Sequence, residues 1–77
     1  MVTARKIQSV SFENDSMSLM VDGKQIKVLL ETISPRLKNA NEIQRNFYKI
    51  SPSGYGIHWP LIDEDISIEA IFKSLGY

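Results

Sequence analysis

His58, the only histidine, lies five residues before the acidic run Asp63-Glu64-Asp65. An imidazole beside carboxylates could ligate a metal ion, or relay a proton to a nearby hydroxyl such as Ser51 or Ser53. Neither chemistry has the spacing it needs. Consecutive carboxylates cannot all face one point, and known metal motifs space their ligands. No nucleophile-elbow sequence surrounds either serine. Gly54-Tyr55-Gly56 is followed by a strand-like run and by no Gly-Lys-Ser/Thr, so it is not a phosphate loop. Tyr55 and Trp59 could stack a base, but a lone Trp in a small chain belongs more naturally to a core. Arg36, Lys38 and Arg45 form the one basic group that could meet phosphate. The expectation is no catalytic residue, no metal and no cofactor, with His58 structural or superficial.

Total charge fits that expectation. Seventy-seven residues carry nine cations and nine carboxylates, so the net charge is zero and a general nucleic-acid clamp is disfavoured. The distribution is uneven. Residues 24–49 are net +4, and residues 50–77 are net −3. Such polarity suits solvated faces that neutralise each other, or a basic middle meeting an acidic partner. There is no cysteine, which excludes disulfides and thiolate sites and fits a cytoplasmic location. No apolar run is long enough to span a membrane, and the N-terminus lacks a signal-like apolar region.

The elements that must position these residues fit one domain over residues 1–77. Lys6 to Phe12 reads as a first strand. Ile7 falls off the face of Val10 and Phe12, which requires either a bulge or cover on both faces. Met17, Leu19 and Val21 alternate with polar or smaller neighbours in a second strand. Asp22-Gly23 is a two-residue hairpin signal. It sets Val21 opposite Lys24, Leu19 opposite Ile26 and Met17 opposite Val28. Ser34-Pro35 starts a short helix with Ser as N-cap, and Asn41 with Gln44 starts another with a capping box. Ile43 and Phe47 share a helix face.

The stretch Ser51 to Ser67 organises the rest. Pro52 and Gly54 make a turn, and Gly56 allows close approach. Ile57-His58-Trp59 forms a strand with Ile57 and Trp59 inward and His58 outward. Pro60 ends it. The acidic run leads to Ser67, N-cap of a closing helix whose apolar stripe is Ile68, Ile71, Phe72 and Leu75. Phe72 is the natural contact for the indole. The expected fold is α+β: a small antiparallel sheet of about four to five strands, two short middle helices and a C-terminal helix.

The string GYGIHWPLIDEDIS, preceded by SPRLKNA and NEIQRNF, resembles the small bacterial domain-of-unknown-function family 2442 over nearly the whole chain. The resemblance implies a short α+β protein. Some members carry an added C-terminal helix–turn–helix domain and look like regulators, and this chain, running to Tyr77, is expected to lack one. Others lie beside a second small family in an arrangement that resembles a toxin–antitoxin pair. No catalytic residue is established for the family, so none is carried over. The expectation is a protein-binding module, the antitoxin-like member of a two-gene unit, with its protein partner encoded nearby and Arg36, Lys38, Arg45, His58 and Asp63 as contact residues. The alternative is a nucleic-acid-binding regulator acting through Arg36, Lys38 and Arg45.

Overall fold

A computed structural model describes residues 6–76. In chain order they form β1 (Ile7–Glu13), β2 (Ser16–Val21), β3 (Lys24–Leu29), α1 (Leu30–Ile33), α2 (Pro35–Lys38), α3 (Glu42–Asn46), β4 (Lys49–Ile50), β5 (Gly56–Trp59), β6 (Glu64–Ser67) and α4 (Ile68–Ser74). The class is α+β, as expected. The strands divide into two antiparallel sheets, β1-β2-β3 and β4-β5-β6, where one sheet was expected.

The first sheet follows from its turn. Asp22 and Gly23 take φ of 51° and 78°, the positive values a two-residue hairpin requires. Val21 pairs with Lys24, Leu19 with Ile26 and Met17 with Val28, the register expected from the sequence. A register shift between Ile7 and Ser9 resolves the misfit in β1. It is a bulge, and it returns Ile7 to the buried face shared with Val10.

Two elements differ from expectation. Leu30–Ile33, for which the sequence offers no helix signal, closes a helical turn with no side-chain cap. Leu30 still reaches the core. The acidic run was expected to lead into the closing helix, yet Glu64–Ser67 is a strand. It pairs with β5, with Ile57 opposite Ile66 and His58 opposite Asp65. Glu64 therefore lies on the Trp59 side of the sheet. There the buried Ser34 hydroxyl donates to its carboxylate and also accepts the Leu37 N–H, capping α2.

The core joins Ile7, Val10, Met17, Leu19, Val21 and Val28 of the first sheet to Ile57, Trp59 and Ile66 of the second, with Leu30, Leu37 and Ile71 from the helices. Trp59 is fully buried. Its rings meet Phe12 edge-on and Tyr48 at a tilt, both with centroids 6.4 Å away. Phe72 packs half-buried at the margin of the same cluster. The close approach expected at Gly56 occurs at Gly54. A Cβ there would stand 2.8 Å from Lys6 Cβ, whereas one on Gly56 would meet nothing nearer than 3.6 Å. No helix among the described residues is long and apolar enough to cross a membrane.

Candidate functional site

Each residue suspected of chemistry has a definite place. His58 is half-exposed on the outer face of β5, between Lys49 of β4 and Asp65 of β6. Its Nδ1 is 2.8 Å from Asp65 Oδ1. Ser51 serves the adjoining turn, where its Oγ accepts the Gly56 N–H at 3.1 Å and lies 3.1 Å from Ser53 Oγ. No group of three His, Cys, Asp or Glu among the described residues is arranged to hold a metal ion.

The basic group is engaged with the fold. Arg45 is the most heavily bonded side chain described. Its Nε donates to Leu37 O at 3.1 Å, one terminal nitrogen to Asn14 O at 2.8 Å, and the other to Lys38 O at 2.7 Å. Asp15 adds a longer ion pair at 3.5 Å. Arg36 donates to Ile62 O at 3.3 Å and Asp63 O at 2.9 Å. Lys38 faces Glu31 at 3.5 Å. The main chain of Asp63 accepts Arg36 in a turn where Asp63 itself takes φ of 51°. A planar guanidinium with several directed donors suits the bridging of carbonyls from separate segments.

These ties leave an apolar surface outside. α3 buries none of its residues. It is held by the Asn41–Gln44 capping box, in which the Gln44 N–H donates to Asn41 Oδ1 at 2.8 Å. It is held also by Arg45, and by the Trp59 indole N–H, which donates to Arg45 O at 2.9 Å. Ile43 and Phe47, four apart as the sequence requires for one face, look outward and are 74% and 49% exposed. Leu61, from the turn between β5 and β6, is 52% exposed beside them. Together with Glu42 and Asn46 these three line a shallow, mostly apolar groove of about 550 Å³.

The groove was missed in the sequence because periodicity shows which residues share a face and leaves open whether that face turns in or out. A signal was present: the helix that carries Ile43 and ends at its C-cap Phe47 is too short to carry a second apolar side. Both walls are fixed from behind, α3 by Arg45 and the Leu61 turn by Arg36. The two arginines expected to touch a partner thus hold the surface in shape.

Residues 7–75 match the model of a family described as a protein of unknown function (DUF2442). Among solved structures, the chain is similar to a protein of unknown function from Rhodospirillum rubrum. The TM-score is 0.77 at 18% identity, over 92% of this chain and 88% of that one. At that identity the likeness concerns the fold alone. No curated protein matches the chain.

Proposed function

The chain belongs to the DUF2442 family of proteins of unknown function, and from its surface we propose that it is a protein-binding module, the antitoxin-like member of a two-gene unit in the cytoplasm. One observation carries the reading. A helix that should turn its apolar face inward is docked by polar bonds instead, and it presents Ile43 and Phe47 to solvent beside Leu61. Contiguous exposed apolar surface on a small domain marks a contact site more often than chance, because it costs solubility and contributes nothing to the core. The antitoxin-like role is supported only by the family resemblance.

The nucleic-acid reading has less support. Of its three cations, Arg45 already donates to three carbonyls and Lys38 faces Glu31. Lys38 and the outer-sheet pair His58–Asp65 can still meet a partner at the margins.

The test uses the neighbouring gene product. The two proteins should co-purify as a complex, and Ile43→Asp with Phe47→Asp should break it while circular dichroism stays native. If the neighbour arrests growth, co-expression of the native chain should relieve the arrest and the double variant should not. A complex indifferent to both substitutions, or none at all, overturns the reading. A gel shift at low salt with a steep salt dependence would favour the nucleic-acid alternative.

A further inference from the structure

We infer that the groove takes a short apolar segment carrying a Lys or Arg beside its anchors, and that Glu42 is the residue that selects for that cation. This rests on the docking reading above and goes on to name the partner's chemistry. Glu42 is the one charged residue lining the groove, next to Ile43, Asn46, Phe47 and Leu61. Among the described residues, the carboxylates in ion pairs are Glu13, Asp15, Glu31 and Asp65; Glu42 is in none. The nearest basic side chain on its own helix, Arg45, is bonded elsewhere.

Docking would change the water around that carboxylate. An apolar anchor laid on Ile43, Phe47 and Leu61 covers the groove and removes water from its rim. A carboxylate losing water without a partner opposes binding, and a cation delivered with the anchor offsets the loss. An acidic segment, or a phosphate backbone, would leave Glu42 desolvated and repelled. The held backbone adds to the fit, because Arg45 and Arg36 tie down α3 and the Leu61 turn and little loop freedom remains to be lost on binding.

A second copy of the chain is the weaker occupant. A two-fold contact through so small a patch brings Glu42 near its own mate, with no cation among the lining residues to separate them. An amphipathic helical segment, anchored by side chains three and four apart, is the occupant that sets an apolar face on Ile43, Phe47 and Leu61 and a cation beside Glu42.

The experiment titrates the isotope-labelled full chain with two synthetic amphipathic peptides. They share a leucine stripe, and differ in having lysine or glutamate at the flanking positions. The lysine peptide should shift the amide signals of Glu42, Ile43, Phe47 and Leu61, and bind about tenfold tighter than the glutamate peptide. Glu42→Lys, a substitution at an exposed site, should reverse the order. Equal binding of both peptides at the groove overturns the cation preference and leaves the docking reading standing. Failure of both peptides to move the groove signals overturns the two together. Dilution-dependent signals at the same residues in the free protein would assign the groove to a second copy and defeat the inference.

Discussion

The Trp59 indole donates its N–H to the main-chain carbonyl of Arg45 at 2.9 Å, while the Arg45 guanidinium binds three other carbonyls in the α2–α3 region and the β1–β2 turn. The largest buried side chain and the most heavily bonded cation are therefore two ends of one connection. It runs from the core through α3 to the groove.

Trp59→Ala should cost roughly 3–5 kcal/mol, the range for deleting a large aromatic from a packed site. Trp59→Phe keeps most of the packing and leaves the Arg45 carbonyl without its donor, so it should cost less, about 1–3 kcal/mol. Urea unfolding measures both. The emission of the native protein should be blue-shifted and resistant to quenchers. A water-like spectrum would mean that the indole is not buried.

Arg45→Lys should behave as a disruptive change. A single ammonium cannot reach three carbonyls on separate segments, so a loss of about 2–3 kcal/mol is expected, in keeping with hydrogen bonds to a charged group. Stability equal to the native protein would show that the carbonyl bonds contribute little.

Gly54→Ala should destabilise more than Gly23→Ala. Both glycines have positive φ, 82° and 78°, but a Cβ on Gly23 meets open space while one on Gly54 collides with Lys6. Gly23→Ala should cost about 1–2 kcal/mol from backbone strain alone, and the β-branched Gly23→Val no less. Gly54→Ala should add an overpacking penalty of roughly 1–3 kcal/mol. Thermal melts of the two variants side by side would reveal the order, and a reversed order would contradict the contact at Lys6.

Ser34→Ala removes the N-cap of α2 and the hydroxyl that reaches Glu64. A loss of about 1–2 kcal/mol is expected. By contrast, Ile43→Asp lies on an exposed face and should change stability by no more than about 0.5 kcal/mol. A large loss there would mean that the α3 face contributes to the core.

Much of the first sheet was legible because two independent signals agreed. Alternation in Met17, Leu19 and Val21 and the Asp22-Gly23 turn specify the same register. The second sheet was harder. The turn from Pro60 to Asp63 bends at Asp63, with φ of 51°, and no glycine marks it. Acidic residues ahead of Ser67 looked like a helix lead-in, which hid a strand that pairs with β5. Leu30–Ile33 contains two β-branched residues and no capping side chain, so nothing local announced a helical turn. The groove depended on which way α3 faces. That orientation is decided by long-range bonds of Arg45 to Asn14 and of Trp59 to Arg45, and local sequence carries no record of them.

Each sheet is made from one uninterrupted stretch of chain, residues 7–29 for the first and 49–67 for the second. Every strand pair closes through a short connection, so neither sheet waits on a distant partner to begin forming. The long-range encounter is the one in which the Ile7 N–H meets Gly54 O and the Tyr48 hydroxyl meets Val10 O, the second pair 38 residues apart. The expectation is that folding speed is set by the meeting of the two ribbons. Native-state hydrogen exchange should accordingly resolve the two ribbons as separate protected units, with the Ile7 amide, which is bonded across them to Gly54 O, released when they part.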